Sequence, residues 1–567
     1  MKKKGFLVGF SMPGVYPPGR DDVQADLLST GNLRSCALAD PEVKDRYDIE
    51  IINESIKSDH EGTARRIAEQ RPDFVAYSTY LWNYNETVRS SELVRKLSPG
   101  TRVIFGGPQV SDLRQETMDE VPHLDLIVGG SGEVRFRQLL KNDFNPNLIT
   151  EMPFVAYRKH DGTPILRDGK VKEDVSQIPS PYKTGAINLN DGKKHTVTLE
   201  TFRGCPMTCQ YCRWGDPDGS TQRFPLEQIL GDVDVIFNNK NIEYAILTDA
   251  NIFYTPEDHW RPFLERIVSS SQKIPLVTNL DMRVMKPKMI ELLSKIPMGL
   301  GQYTFGMQST NPAALAFAER TCIGDIKTMW TEGVDMIRKI DPDGKICLEI
   351  IYGLPGDNHK GFLETVDFAL GLRPSKFYMF PLLVLPGTPF WEKRDMFKFD
   401  KSPSPDYMVK SNLTYSAEDM RRTFDFASWF PTMQRFPAIQ EALVSSAHNG
   451  TTRVDLIQEY ITRVKKSTGI TPVEEFSHSL PSANRILRSI MDPMIEPQNG
   501  HSAYEIARQL VSSGNPVRAD LDLGLAYYNS RRTTPVEDVD RRFIDRVGKE
   551  KLDSIKCNWF PYANSIG

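Results

Sequence analysis

Three of the chain's seven cysteines lie close together in the stretch ETFRGCPMTCQYCRWG, at Cys205, Cys209 and Cys212. Their spacing is C-x3-C-x2-C, and no fourth cysteine follows nearby. The other cysteines are scattered along the chain, at Cys36, Cys322, Cys347 and Cys557. Because cysteine thiolates are ligands of zinc and of iron, the triplet predicts a metal centre with one ligand missing.

Two kinds of metal centre are compatible with three clustered thiolates. A structural zinc site is normally closed by four ligands, but His195 and His259 are isolated and the sequence holds no second C-x2-C pair. A 4Fe-4S cluster held by three cysteines leaves one iron open to an outside ligand. We therefore favour an iron-sulfur cluster that acts on a bound small molecule, with zinc as the alternative.

The triplet directly follows the first of six predicted strands that alternate with helical stretches between residues 196 and 399. These strands are HTVTLET, EYAILTD, PLVTNL, GQYTFGMQS, KICLEIIYGLPG and KFYMFPLLVL. Strand and helix in regular alternation predict an open, partial (β/α)6 barrel. Such barrels carry their chemistry at the carboxyl ends of the strands, which is where the triplet lies.

Residues 1–145 also alternate between strand and helix patterns, and predict a Rossmann-like, doubly wound parallel sheet. Three of its strands end in small residues, at Ser78-Thr79, Gly106-Gly107 and Gly129 to Glu133. Strand ends of this kind on neighbouring strands indicate a ligand-binding edge. No G-x-G-x-x-G follows the first strand, so the ordinary dinucleotide fingerprint is absent.

The remaining segments have weaker patterns. Residues 146–195 are rich in proline, glycine and charge, and predict a linker with a small hairpin at Asp161-Gly162. Residues 400–567 have helical periodicity without a metal motif, and predict a mostly helical domain that caps the barrel and helps to define the substrate.

Composition excludes several classes of partner. A formal charge of -4 and a pI near 6.2 provide no basic surface for nucleic acid. No apolar run approaches the roughly 18 residues of a membrane helix, and MKKKGFLVGF reads as a first strand, not as a signal peptide. An odd number of cysteines argues against a disulfide framework. We expect a cytoplasmic protein with neither a nucleic-acid nor a membrane partner.

The triplet, with Tyr211 directly before its third cysteine, resembles the cluster loop of the radical S-adenosylmethionine (radical SAM) enzymes. The stretches LTDANIF, FGMQS, IIYGLPGD and PLLVLPGTPFWE resemble successive strand ends of that superfamily. The strand ends YSTY, FGGPQVS and VGGSGE are similar to those of the cobalamin-binding module that is fused to many such enzymes. The resemblance therefore implies a cobalamin-dependent radical SAM enzyme.

The resemblance also implies roles for particular residues. The three cysteines would hold three irons of a 4Fe-4S cluster, and S-adenosylmethionine would bind the fourth. Contacts to the cluster and S-adenosylmethionine are implied for Tyr211, Asp249, Asn251, Asn279, Gln308, Ser309 and Arg320. The family's usual Gly-Gly-Glu is missing at the second of these strand ends. Contacts to cobalamin are implied for Ser78, Thr79, Tyr80, Gly106, Gly107, Gly130, Gly132 and Glu133.

The function implied by the resemblance is methylation of an unactivated carbon of a natural-product intermediate or a peptide, with methylcobalamin as the methyl donor. An electron donor such as flavodoxin or ferredoxin would be a partner. One alternative is a cobalamin-dependent radical reaction without net methylation, such as cyclisation, oxidation or rearrangement, and another is a non-catalytic sensor. The loop SMPGVYPPGRDD contains no histidine, so no imidazole is expected on the lower face of the cobalt.

Overall fold

The protein is described from a computed structural model. The residues that it describes are 2–11, 22–112, 114–169, 171–172, 174–214, 220–299, 302–404, 406–434, 436–447, 450–472, 489–490, 493–494, 496–511, 513–549 and 551–552. Most of the loop after the first strand, residues 12–21, and Cys557 lie outside the described residues.

The elements are numbered in chain order. The strands are β1 (Lys3–Ser11), β2 (Val23–Ala25), β3 (Tyr47–Ser55), β4 (Phe74–Ser78), β5 (Arg102–Gly106), β6 (Leu126–Val128), β7 (Val155–Arg158), β8 (Pro164–Arg167), β9 (Lys194–Leu199), β10 (Phe202–Gly204), β11 (Thr221–Arg223), β12 (Ile242–Leu247), β13 (Leu276–Val277), β14 (Asn279–Leu280), β15 (Gln302–Gln308), β16 (Lys345–Tyr352), β17 (Lys376–Pro381), β18 (Asp400–Lys401) and β19 (Val409–Ser411).

The helices of the first half are α1 (Leu28–Leu38), α2 (Pro41–Arg46), α3 (His60–Glu69), α4 (Tyr84–Leu97), α5 (Pro108–Ser111), α6 (Arg114–Glu120), α7 (Glu133–Lys141), α8 (Pro146–Glu151), α9 (Leu226–Ile236) and α10 (Glu257–Ser269). Those of the second half are α11 (Pro287–Leu293), α12 (Pro312–Phe317), α13 (Ile326–Ile340), α14 (His359–Gly371), α15 (Pro389–Glu392), α16 (Ala417–Met433), α17 (Pro437–Ser445), α18 (Arg453–Thr468), α19 (Pro497–Leu510), α20 (Arg518–Arg531) and α21 (Val536–Val547).

The first sheet has the strand order β3-β1-β4-β5-β6-β7-β8. Its first five strands are parallel, which requires a crossover between successive strands. Phe6 and Val8 of β1 pack into one hydrophobic core and Leu7 packs into another, because helices cover both faces of the sheet. The continuous apolar run GFLVGF of β1 is therefore explained by burial on both sides.

Within residues 146–195, where the sequence predicts a linker, β7 and β8 form a hairpin that extends the first sheet with antiparallel strands. The hairpin turns at Asp161-Gly162, and Gly162 adopts a φ of 87° there. The sequence predicts the hairpin at Asp161-Gly162. Composition did not indicate that the hairpin pairs with β6 and forms the edge of the first sheet.

The barrel strands follow one another in chain order. β9, β12 and β13 are parallel neighbours, and so are β14, β15, β16 and β17. The predicted strand PLVTNL is broken into β13 and β14, because its first part pairs with β12 and its second with β15. Six strand positions therefore line an open barrel, and this confirms the predicted fold class.

The first sheet domain and the barrel are joined along the barrel's open edge. β2 pairs in parallel with β9, with Val23 opposite Lys194. Next to this pairing, His195 is buried between two carboxylates, with Nδ1 2.7 Å from Asp26 and Nε2 2.9 Å from Asp191. β2 thus belongs to the barrel's sheet although it precedes most of the first domain in sequence.

The C-terminal region is mostly helical in its described parts, as predicted. Helices α16 to α21 pack on the barrel and share one continuous hydrophobic core with it. Tyr415 and His359 both bond to the hydroxyl of Thr423, which joins α14 of the barrel to α16. No helix among the described residues is long and apolar enough to span a bilayer.

Candidate active site

The chain that leads into the cysteine loop is held by Asp249 at the end of β12. Asp249 is fully buried, and it accepts hydrogen bonds from the backbone of Thr201 (2.8 Å) and Phe202 (3.4 Å) and from the Thr201 hydroxyl. Burial raises the pKa of Asp249 to about 7. The sequence predicted a contact between Asp249 and S-adenosylmethionine, but both carboxylate oxygens are already engaged in ordering residues 201–202.

The three thiols of the loop are free, and Cys205 and Cys209 are buried while Cys212 is partly buried. Burial raises the pKa of the Cys205 thiol, and it raises that of Cys212 to about 11. Neighbouring thiols raise both values further, because like charges repel one another. The loop therefore brings three sulfur donors together at a site that disfavours their ionised forms. A bound cation such as iron would stabilise the thiolates.

The arrangement of the thiols bears on which metal they suit. Among the described residues, no three histidine, cysteine, aspartate or glutamate side chains converge so as to hold one ion. Three thiols without a fourth protein ligand match an iron-sulfur cluster that keeps one iron open.

Arg320 connects the cysteine loop to the barrel strands. Its guanidinium donates to the carbonyl of Gly306 in β15 (2.7 Å) and to the sulfur of Cys209 (3.6 Å), and it lies 3.8 Å from the carboxylate of Asp281. Arg320 therefore lies beside the cysteine loop, and its predicted contact with S-adenosylmethionine stays a prediction. Beside Arg320, the side chain of Gln308 lies over Gly306. A Cβ on Gly306 would be 2.3 Å from the Gln308 amide nitrogen.

Asp281 is a site residue that the sequence analysis missed. It follows the broken strand and accepts hydrogen bonds from Arg283 (3.0 Å) and from the Tyr254 hydroxyl (2.6 Å). Although burial raises its pKa, Arg283 and Arg320 lower the pKa of Asp281 to about 2. Two guanidiniums thus share the Asp281 carboxylate, and the Glu349 carboxyl group on β16 also interacts electrostatically with Arg320.

Two buried polar atoms indicate that a polar ligand belongs here. The amide nitrogen of Asn251 and the amide oxygen of Gln308 find no hydrogen-bond partner among the described residues. Leaving such a group unpaired costs about 1–3 kcal/mol. Asn251 follows β12 and Gln308 ends β15 of the barrel, so these atoms fit the polar groups of a molecule bound across the strand ends.

The other residues predicted to contact S-adenosylmethionine have different positions. Tyr211 packs against the barrel core, and Asn279 is exposed at the start of β14. Ser309 is buried, and its hydroxyl accepts from the backbone of Asn311 (3.0 Å) and lies 3.4 Å from Asp357. Ser309 is therefore held in a turn after β15, and its predicted contact with the ligand stays a prediction.

The carboxyl edge of the first sheet has the predicted alignment. Ser78, Gly106 and Val128 are direct neighbours on β4, β5 and β6. Thr79 donates to the carbonyl of Gly106 from its backbone (2.7 Å) and its hydroxyl (2.6 Å). A Cβ on Gly106 would meet only the Val128 carbonyl oxygen, at 3.5 Å. Protein packing thus leaves room for a side chain at Gly106, on the edge where the sequence predicts a cofactor.

The fold itself requires a glycine at position 107, whether or not a cofactor binds. Its φ is 105°, and a Cβ there would lie 2.4 Å from the Thr79 carbonyl oxygen. Gly130 also has positive φ, at 66°, and its backbone donates to the Ser111 hydroxyl (3.0 Å). These two glycines therefore shape the turns that follow β5 and β6.

The remaining residues predicted to contact cobalamin lie around this edge. The Ser78 hydroxyl bonds to that of Ser29 (2.9 Å). Tyr80 stacks on the exposed Trp82, with ring centroids 4.4 Å apart. A Cβ on Gly132 would lie 3.4 Å from Val128. The carboxylate of Glu133 binds Arg203 of the barrel, and its predicted contact with the cofactor stays a prediction.

Comparison with known proteins identifies two domains in this chain. Residues 42–140 match the B12 binding domain family, and residues 199–369 match the Radical SAM superfamily. These two domains imply cobalamin, a 4Fe-4S cluster and S-adenosylmethionine as cofactors.

Two curated relatives and one solved structure resemble this chain. The cobalamin-dependent radical SAM methyltransferase TokK of Streptomyces tokunonensis is 26% identical over 77% of this chain and 65% of its own length. The 2-(S-pantetheinyl)-carbapenam-3-carboxylate methyltransferase of Streptantibioticus cattleyicolor is 32% identical over 43% of this chain and 36% of its own. The chain thus spans less than two thirds of either relative. The structure of the cobalamin-dependent S-adenosylmethionine radical enzyme OxsB is similar in fold, with a TM-score of 0.60, 14% identity, and coverage of 97% of this chain and 84% of that chain.

Proposed function

We propose that this chain, which carries a B12-binding domain followed by a radical SAM domain, methylates an unactivated carbon of a small-molecule substrate. One observation carries the proposal: the cysteine loop of the barrel lies against the carboxyl edge of the first sheet. Arg203 in front of the loop binds Glu133, and Arg213 behind it binds Asp112. The two cofactor sites that we propose therefore adjoin one interface.

The proposed roles of the residues follow from their positions. When bound, the cluster and S-adenosylmethionine supply one-electron chemistry at carbon, and cobalamin supplies the methyl group. The three thiols hold the iron. Arg283 and Arg320 place positive charge beside it, while Asn251 and Gln308 orient the ligand through their unpaired amide atoms.

The relatives' names support a small-molecule acceptor, since one of them is a methyltransferase of a pantetheinyl carbapenam carboxylate. Peptide acceptors and other natural-product intermediates belong to the same proposal. Helices α16 to α21 share a core with the barrel, and we propose that they define the substrate. A cytoplasmic location and an electron donor such as flavodoxin or ferredoxin complete the proposal.

The test is anaerobic incubation of the reconstituted protein with reductant, methylcobalamin, S-adenosylmethionine and 2-(S-pantetheinyl)-carbapenam-3-carboxylate or another candidate acceptor. We expect 5'-deoxyadenosine and S-adenosylhomocysteine to form together, in step with a methylated product. Formation of 5'-deoxyadenosine alone would instead indicate cyclisation, oxidation or rearrangement. Neither product with any acceptor would favour the sensor.

A further expectation concerns the lower face of the cobalt. The only histidines in residues 1–145 are His60 and His123. His60 bonds to the Ile56 carbonyl oxygen (2.8 Å) through Nε2, and its Nδ1 is buried. His123 bonds to the Ser91 hydroxyl (2.9 Å). His123 lies before β6, at the opposite edge of the sheet, and the Nε2 atom of His60 is engaged by Ile56, so we expect no histidine nitrogen on the cobalt.

The electron paramagnetic resonance (EPR) spectrum of bound cob(II)alamin measures this directly. Without an axial nitrogen, the cobalt lines should lack the additional nitrogen splitting. A clear splitting would contradict the expectation. The variant His60→Ala would then separate a protein ligand, whose splitting disappears, from the cofactor's own base, whose splitting remains.

A further inference from the structure

Two arginines flank the cysteine loop, and both bind the first domain. Arg203 lies two residues before Cys205, and its guanidinium donates to both carboxylate oxygens of Glu133 (3.0 and 3.2 Å) and to Glu200 (2.8 Å). Arg213 directly follows Cys212 and donates to one oxygen of Asp112 through Nε (3.0 Å) and Nη2 (2.5 Å). The loop is thus tied to the neighbouring domain at both ends.

These ion pairs are more enclosed than ordinary surface pairs. The side chain of Glu133 is 9% exposed and that of Arg203 is 23% exposed, while Asp112 and Arg213 are 21% and 22% exposed. Although burial alone would raise the pKa of Glu133, the charge of Arg203 outweighs it and lowers the pKa. Interactions at such sites are screened less by salt than exposed pairs are.

The barrel also leaves a space for the Asp112 carboxylate. Gly387, in the loop after β17, has a φ of 76°, and a Cβ there would lie 2.4 Å from the carboxylate carbon of Asp112. The Asp112 carboxylate is therefore enclosed between Arg213 and this loop. Three segments meet at one point: the end of α5, the cysteine loop and the last barrel strand's loop.

We infer that Arg203 and Arg213 are positioning residues that set the distance between the cysteine loop and the cobalamin face of the first domain. The inference rests on the proposed function, in which the same substrate carbon must be reached from both cofactors. Holding reacting groups at the correct separation is a large part of what an enzyme supplies. Charged side chains at both ends of a short loop fix its position more firmly than one contact would.

The test compares two variants of the reconstituted holoprotein. The double variant Asp112→Asn with Glu133→Gln removes both interdomain charges at the loop. The matched control Tyr407→Phe removes an interdomain hydrogen bond to Gln109 (3.3 Å) that does not involve the loop. In EPR, the magnetic coupling between cob(II)alamin and the reduced cluster depends on the distance between the two cofactors. A variable distance gives a broad, undefined coupling. We expect the double variant to lose the defined coupling of the wild type, and Tyr407→Phe to keep it.

A double variant that binds both cofactors and keeps the wild-type coupling would overturn the inference. If that variant does not fold, the single variants Arg203→Gln and Arg213→Gln take its place, each compared with Tyr407→Phe. Each should lose the defined coupling, and wild-type coupling in both would overturn the inference. Failure of the proposed function is distinguishable, because it would appear as absent 5'-deoxyadenosine in the wild type, whatever the coupling.

Discussion

Replacing Cys209 with alanine should abolish the iron-sulfur absorbance and the cleavage of S-adenosylmethionine, while cobalamin remains bound. The cluster would lose one of its three protein ligands, and two thiols cannot hold it in place. The sulfur of Cys209 also accepts a hydrogen bond from Arg320 (3.6 Å), so the variant removes a partner of that guanidinium as well. Cobalamin binding should persist because the first sheet has hydrophobic cores of its own.

The matched control for this variant is Cys322→Ala. Cys322 is a partly buried thiol on the barrel, and its sulfur contacts the carbonyl oxygen of Gly324 at 3.7 Å. Iron content, absorbance and 5'-deoxyadenosine formation are measured for both variants after anaerobic reconstitution. Full iron content and turnover in Cys209→Ala, or equal losses in both variants, would show that the triplet does not hold a cluster.

The features that the sequence predicted well are those that depend on local pattern. Alternating strands and helices predict the parallel strands of the first sheet and of the barrel. Small residues at three strand ends predict the carboxyl edge of the first sheet, because parallel strands place their carboxyl ends together. Ser78, Gly106 and Val128 are aligned for that reason. The cysteine spacing is equally local, and the structure keeps all three thiols in one short loop.

Periodicity could not predict the protein partners of side chains that lie far apart in sequence. Asp249 follows a strand, and its partner Thr201 lies 48 residues earlier in the same barrel. Glu133 binds Arg203, 70 residues later and in the other domain. Such pairs are set by tertiary packing, which periodicity does not encode.

Asp281 was missed for a related reason. It follows the short strand β14, where the predicted strand PLVTNL is broken. An aspartate followed by Arg283 at a strand end was the signal available in the sequence. Only the three-dimensional fold brings Arg320 to 3.8 Å from the Asp281 carboxylate.

The second large effect is expected at the cobalamin face. The variant Gly106→Val should bind hydroxocobalamin much more weakly while the apoprotein keeps its thermal stability. Valine suits a β-strand, and its Cβ would meet only the Val128 carbonyl oxygen at 3.5 Å, an ordinary contact distance. Its methyl groups would extend into the space proposed for the cofactor. Overpacking costs about 1–3 kcal/mol, which corresponds to roughly 5- to 150-fold in affinity.

Gly107→Val separates loss of the cofactor from loss of the fold. At Gly107 the added Cβ would lie 2.4 Å from the Thr79 carbonyl oxygen, and the φ of 105° disfavours any side chain. This variant should lower the melting temperature of the apoprotein, whereas Gly106→Val should not. Absorbance titration measures cobalamin binding and circular dichroism measures unfolding. If Gly106→Val binds cobalamin like the wild type, the cofactor does not lie on this edge, because a valine there would have to contact it.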